Sequence, residues 1–379
     1  MIIGIDISSV VYGTGVSNYT SNLVRHLIKL DKKNSYKLLF YSLRQSLPPE
    51  IKVLLNQPNV KLYHYRLPPT FFEIIWNRLH IFPLEFFIGK CDVFHTWDWN
   101  EPPSLWAKKV TTFHDFVPIL YPENQHPRTI KNFNQKLSYA LKEDTLFICV
   151  SDNTATDLTK LFPQIDIKKI VIIAEAADDK YKLFQKLKPS DQKNKIELLK
   201  KQYGLKQYIL TQGTREPRKN LSRLIEAFIK FKKTHIKSKL ELAISGGYGW
   251  GQDISAPHPD IKILGYVPEK DIVTLHAGAL CLAYPSLYEG FGLPIVKSFT
   301  VGVPVLTSNI SSIPEVAGKA ALLVDPYSVG SIYTALKKII LSRSTRSTLI
   351  NRGLIQARKF SWDKTAQLTL NAYQKLINN

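Results

Sequence analysis

Pro285-Ser286-Leu287-Tyr288-Glu289-Gly290-Phe291-Gly292-Leu293-Pro294-Ile295-Val296-Lys297 follows a short apolar run, Leu280–Tyr284, and leads into a helical pattern. A proline suits the first position of a helix, where its missing N–H is not needed. Glycines just before it let a backbone pass close to a ligand. The free N–H groups of such a helix start face an anion. The stretch therefore reads as a strand-to-helix loop that holds a phosphorylated, hydroxyl-rich ligand, with Glu289 in reach of it.

The same strand-to-helix rhythm runs outward in both directions. Toward the N-terminus, strand-like runs are read at Met1–Ser8, Tyr36–Ser42, Val93–His95, Lys109–Thr112, Thr145–Val150 and Lys169–Ile173, with a helix over Asn18–Leu30. Between Asp178 and Tyr203 Lys, Gln and Asp dominate, which reads as a connection plus a solvated helix. The rhythm then restarts with strands at Tyr208–Gln212, Leu240–Ser245, Ile261–Leu264, Leu280–Tyr284, Val305–Ser308 and Ala321–Val324, and a helix over Asn220–Thr234. Strands alternating with helices predict an α/β chain with parallel, doubly wound sheets. Two such domains in series predict a cleft between them, with ligands at the carboxyl ends of the strands.

The 379 residues suit two domains, and 44% hydrophobic with 22% charged residues suits well-filled cores. Cys91, Cys149 and Cys281 lie far apart without metal-type spacing, which fits a reducing, cytoplasmic setting. The N-terminus is apolar from the start and reads as a core strand, not a leader, and no apolar run is long enough to span a membrane. The net charge of +20 is uneven: 24 Lys/Arg stand against 18 Asp/Glu in residues 1–188, and 27 against 13 in residues 189–379. A polyanionic partner, an anionic membrane surface and plain solubility all accommodate this. No zinc-finger, RRM or helix-turn-helix pattern accompanies the charge, so no nucleic-acid partner is expected.

Three further motifs carry chemistry. Gly13-Thr14-Gly15-Val16-Ser17-Asn18-Tyr19 follows the first strand and opens a helix; both a ligand-approach loop and a plain turn fit it. Phe113-His114-Asp115 ends a strand, where His114 either donates to a ligand or packs in the core while Asp115 caps a turn. Gly213-Thr214-Arg215-Glu216-Pro217-Arg218-Lys219-Asn220 frees the backbone at Gly213 and sets two cations at a helix entry. Arg218 as a fork and Lys219 as a point charge suit a diphosphate. Gly246-Gly247-Tyr248-Gly249-Trp250-Gly251 reads as a surface loop and Ser311–Val316 as a structural turn. No Asp-x-Asp pair occurs, so the two cations offer a route to neutralise a diphosphate without metal.

Taken together these residues resemble the retaining, GT-B-fold glycosyltransferases of family 4, over essentially the whole chain. The stretch Gly213–Asn220 is similar to the GTLEPRKN of their bacterial mannosyltransferase-like branch. The resemblance implies GT-B architecture: two Rossmann-like domains facing a cleft, residues 1–185 (completed by a last helix, about 361–379) on the acceptor side and 186–360 on the donor side. It implies a hexosyl transfer without metal or cofactor, with GDP-mannose as donor and a glycan or lipid-linked glycan as acceptor, for surface polysaccharide. Arg218 and Lys219 would neutralise the donor diphosphate, Glu289 would bind the sugar hydroxyls and His114 would contact the sugar near its 6-hydroxyl. Gly13, Gly15, Gly213, Gly290, Phe291, Gly292 and Leu293 would shape the donor site. One position departs from the pattern: Lys297 stands where the family carries a second glutamate, eight residues after the first, that meets the ribose. Lys297 is kept as a nucleotide contact of reversed charge.

That departure keeps in view a nucleotide-sugar-binding partner subunit with weakened turnover; a GT-B sugar-nucleotide epimerase is a separate alternative, which the intact Glu289–Pro294 segment disfavours. Residues 71–82, Phe-Phe-Glu-Ile-Ile-Trp-Asn-Arg-Leu-His-Ile-Phe, are aromatic and amphipathic. They read either as a core-facing helix or as a surface lying on a membrane, which would make the protein peripheral on the inner face.

Overall fold

A computed structural model of the chain describes residues 1–97, 99–143, 145–249 and 256–378. The chain divides into two units: Met1–Glu175 with Ser361–Asn379, and Ala176–Phe360. Trp250 and Gly251 of the glycine-rich loop lie outside the described residues.

The first unit holds a seven-stranded sheet of β1 (Ile2–Asp6), β2 (Ser35–Tyr41), β3 (Val60–Tyr65), β4 (Val93–Thr96), β5 (Lys108–Phe113), β6 (Leu146–Cys149) and β7 (Ile170–Ile172). The spatial order is β3-β2-β1-β4-β5-β6-β7, and every pairing is parallel. Strands such as β4 and β6 are buried along their whole length, as a sheet covered on both faces requires. β3 has no counterpart in the sequence reading. It is an edge strand paired only to β2, and the solvent-facing Lys61 and His64 break its apolar run.

The second unit holds six parallel strands, β8 (Tyr208–Gln212), β9 (Glu241–Ser245), β10 (Ile261–Gly265), β11 (Cys281–Tyr284), β12 (Val305–Ser308) and β13 (Ala321–Val324). Their order is β10-β9-β8-β11-β12-β13. Its core gathers Leu224, Phe228 and Phe231 of the helix Leu221–Thr234 with Leu242, Ile244, Leu306 and Leu336. In both sheets the strand order reverses direction once, between β1 and β4 and between β8 and β11, and such switch points open a crevice at the strand ends.

Two local readings change. The polar stretch 178–203 forms two helices, Asp179–Gln185 and Pro189–Tyr203, the second closed by Gly204 in the left-handed region (φ 63°). Residues 69–78 are one α-helical turn, Pro69–Phe72, running into a π-helical segment, Glu73–Arg78, and the segment is two-faced. Phe72, Ile75 and Trp76 pack under β2 with Tyr41, whose ring stacks on Phe72 at 4.0 Å, while Phe71, Ile74, Leu79 and Phe82 are exposed.

The helix Trp362–Asn378 belongs to the first unit. Trp362 sets its ring edge-on to Tyr19 of the helix Gly15–Leu30, and His26 Nδ1 lies 2.7 Å from Asp363 Oδ1. Tyr373 is fully buried against His95 of β4, whose Nδ1 lies 2.5 Å from the hydroxyl.

Candidate functional site

At the carboxyl ends of the second sheet's strands, β8 is followed by Gly213 at φ 147° and β9 by Gly246 at φ 142°. A Cβ on Gly246 would stand 1.8 Å from the Gly213 carbonyl oxygen, and one on Gly213 would stand 3.1 Å from Lys219 Cε. Only glycine permits loops this close. Pro217–Lys219 then forms one 3₁₀ turn, and Asn220 enters the left-handed region at φ 58° to start the next helix. Its side-chain amide donates to the Pro285 carbonyl (2.9 Å) and the Pro326 carbonyl (2.7 Å), and Leu287 N–H donates to the Arg218 carbonyl at 2.7 Å. These bonds lock Arg218 and Lys219 against the loop that follows β11.

The carboxylate of that loop is Glu289. Lys219 Nζ donates to Glu289 Oε1 at 2.7 Å and to the Tyr284 hydroxyl at 2.8 Å, and that hydroxyl donates to the same oxygen at 2.6 Å. Arg218 Nη1 donates to Glu289 Oε2 at 3.2 Å and to the Tyr288 carbonyl at 3.0 Å, while Nη2 pairs with Glu216 at 2.7 Å. Ser311 and Ser312 hydroxyls donate to the Glu289 carbonyl at 2.7 and 2.8 Å. Burial alone would raise the Glu289 carboxyl, but the Lys219 and Arg218 charges beside it outweigh this and hold it at about 2. Burial, helped by the Arg218 charge, pulls the Lys219 ammonium below its usual range. Two cations thus meet one deeply ionised carboxylate at the carboxyl ends of β8 and β11, an arrangement that an incoming doubly charged group can enter by taking over the carboxylate's bonds.

The glycines behind Glu289 divide their tasks. Gly292 takes φ 95° and caps the helix Leu293–Thr300, with Pro294 as its second residue and not its first. Gly290 is buried, Leu293 is half-buried, and Phe291 turns its ring edge-on to Phe360 at 5.6 Å. Lys297 is 7% exposed, with its ammonium 5.7 Å from the Tyr181 ring centre. Burial and the Lys297 charge together press His276 well below its usual range, so it stays neutral between Gln212 Oε1 (2.6 Å) and Ser298 Oγ (2.8 Å).

In the first unit Gly13 has φ 66° and precedes Thr14, which forms a reciprocal cap with Ser17 at the head of the helix Gly15–Leu30. A Cβ at Gly15 would meet nothing within 4 Å, so that helix start stands open. His114 lies past the end of β5, its ring edge-on to Tyr19 at 4.6 Å and its Nε2 4.0 Å from Glu175. Asp115 accepts from Val117 N–H at 3.0 Å and caps a turn.

The sequence reading brought Gly213, Arg218, Lys219 and Glu289 together, and they do meet. It gave no contact role to Tyr284, Glu216 or Asn220 and read Ser311 and Ser312 as part of a structural turn, yet these five complete the cluster. Tyr284 had one available signal: it is the last residue of a buried strand at a switch point, where a polar side chain is out of place unless it has a partner.

Two family models match the chain, Glycosyltransferase Family 4 over residues 13–181 and Glycosyl transferases group 1 over residues 191–355. It is also 34% identical over 282 residues, 72% of each chain, to an O-antigen chain mannosyltransferase B of Escherichia coli. The chain belongs to the group 1, family 4 glycosyltransferases. Another relative of this glycosyltransferase is a serotype-specific mannosyltransferase WbdA of Escherichia coli, 26% identical over 72% of this chain and 34% of that longer one. A solved sucrose-phosphate synthase from Thermosynechococcus elongatus shares the fold with a TM-score of 0.72 at 14% identity, covering 100% of this chain and 99% of that one. The two doubly wound sheets are those of a GT-B glycosyltransferase.

Proposed function

We propose that this glycosyltransferase is a retaining, metal-independent mannosyltransferase that moves mannose from GDP-mannose onto a growing surface glycan. The observation that carries the donor chemistry is the meeting of Arg218 and Lys219 on Glu289 at the switch point. In this reading the donor diphosphate takes the place of the Glu289 carboxylate on the two cations, and Glu289 then accepts hydrogen bonds from the sugar hydroxyls. Arg218 and Lys219 stabilise the charge that grows on the leaving diphosphate. The bond from C1 to the phosphate oxygen breaks, the acceptor oxygen bonds C1 on the same face, and its proton passes to the departing phosphate. His114 serves as a hydrogen-bond donor to sugar hydroxyls, and Lys297 as a nucleotide contact. The likeness to an O-antigen chain mannosyltransferase and a serotype-specific mannosyltransferase of Escherichia coli supports mannose and a surface glycan.

No helix among the described residues is long and apolar enough to cross a membrane. Peripheral attachment at the inner face is supported by the exposed Phe71, Ile74, Leu79, Phe82 and Phe86. The test is a screen of the purified protein against GDP-, UDP- and ADP-sugars with and without EDTA. Turnover of GDP-mannose that EDTA leaves unchanged, giving an α-linked product by NMR, is the expected result. Absence of turnover with every donor would overturn the reading.

A further inference from the structure

Tyr284 closes β11, a strand paired with β8 on one side and β12 on the other, and its carbonyl accepts from Thr307 Oγ1 at 2.7 Å. A side chain on an inner strand keeps its place better than one on a loop. The residue is 3% exposed. Its hydroxyl has one proton to give and lone pairs to receive. The proton goes to Glu289 Oε1 at 2.6 Å, and a lone pair takes the Lys219 ammonium at 2.8 Å. Burial and the Glu289 charge lift the phenol well above its usual range, so the hydroxyl keeps its proton at neutral pH.

The partners on either side are less fixed. Glu289 sits on the loop between β11 and Gly292, and Lys219 ends a single 3₁₀ turn. In the reading above, the donor diphosphate takes Lys219 and Arg218 away from Glu289. That exchange leaves a carboxylate that is 7% exposed beside an incoming anion. A buried group in that position tends to take up a proton. Once protonated, Glu289 has one oxygen committed to the proton and accepts fewer sugar hydroxyls. Around Glu289, Arg218 and Lys219 are the cations, Glu216 stands behind Arg218, and Ser311 and Ser312 hold the Glu289 backbone. Tyr284 is the uncharged donor on the carboxylate, and neither of its bonds has to break when the ion pair opens.

We propose that Tyr284 is a positioning residue for the transfer: its hydroxyl keeps hold of Glu289 and Lys219 while the donor diphosphate separates them, so that Glu289 remains a carboxylate aimed at the sugar. The inference rests on the transferase reading above for the diphosphate, and on the bonds of Tyr284 for the role.

The test titrates GDP, and UDP in parallel, into the full chain by calorimetry in buffers of different ionisation enthalpy, which counts the protons taken up on binding. Tyr284→Phe is expected to bind the nucleoside diphosphate about tenfold more weakly, in line with one lost hydrogen bond to a charged group. It is also expected to take up more protons than the wild type, with uptake beginning at higher pH, because the hydroxyl no longer favours the ionised form. A change of shape alone would weaken binding and leave the proton count where it was. Glu289→Gln cannot take up that proton, so adding Tyr284→Phe to it is expected to leave the count unchanged. An equal count in the wild type and Tyr284→Phe, or an increase that persists in the Glu289→Gln background, would sink the assignment. Were Tyr284→Phe to lose its melting transition, a fluorotyrosine in place of Tyr284 keeps the hydroxyl and makes it a stronger donor. The onset of uptake is then expected to move to lower pH, and an unmoved onset leaves Tyr284 without this role. A nucleotide bound by none of these proteins overturns the donor reading, and the role of Tyr284 with it. A nucleotide bound with an unchanged proton count overturns the role of Tyr284 alone.

Discussion

Glu289 concentrates the electrostatics of the second sheet's switch point in one carboxylate, since Lys219, Arg218 and Tyr284 all converge on its two oxygens. Its folded value of about 2 against the usual 4.5 fixes a sign. The unfolded chain takes up the proton first as pH falls, so the stability that this carboxylate contributes is complete above about 4.5 and is lost on the way down to 2. Urea midpoints of the wild type and of Glu289→Gln are therefore expected to differ at neutral pH and to converge across that window. Lys219→Ala is expected to lower transfer by a factor on the order of 10²–10³, the usual loss when one charge-stabilising donor is removed. Arg218→Lys is expected to lower it as well, because a point charge cannot hold the Tyr288 carbonyl, Glu289 and Glu216 at once. Steady-state kinetics with the donor found in the screen checks both.

Between residue and sheet, the elements act through their ends. Asn220 starts a helix in the left-handed region and ties two other loops to it, so Asn220→Ala strands the Pro285 and Pro326 carbonyls. The expected loss is about 2 kcal/mol or more in chemical denaturation, since each buried unpaired group costs ~1–3 kcal/mol. Gly246→Ala is expected to cost more than ~1 kcal/mol, because its added methyl would meet the Gly213 carbonyl and its φ is positive. The loop before Asn220 was legible in the sequence because glycine, proline and paired cations mark it by residue type alone, whereas the loop at Gly246 read only as a surface loop. Tyr284 and Glu216 were not, because a tyrosine at the end of an apolar run and a glutamate in a basic loop look ordinary until the chain folds them onto one carboxylate and one guanidinium. Residues 69–78 were legible as amphipathic, but their division into buried Phe72 and Trp76 and exposed Phe71 and Ile74 depends on a π-helical segment that no simple spacing announces.

The alternation of apolar runs and helical patterns was enough to give two parallel doubly wound sheets, and among the described residues only the half-polar edge strand β3 escaped it. Strand order was not readable, since it depends on which crossovers turn back, and the two switch points that hold the candidate sites follow from that order. The unit made of 1–175 and 361–379 is discontinuous in the chain. Deleting residues 361–378 would uncover Tyr19 and His95 by removing Trp362 and Tyr373. The truncated protein is expected to lose amide protection in β1 and β4 while β8 and β11 keep theirs, which hydrogen exchange read by mass spectrometry can measure. The same discontinuity sets a timetable on the ribosome. Residues 176–360 must all be synthesised before the helix that seals the first sheet emerges, a delay on the order of ten to forty seconds at ordinary elongation rates. The N-terminal half of this chain is thus made first and finished last, and the second unit can complete its folding while the first still waits for its final helix.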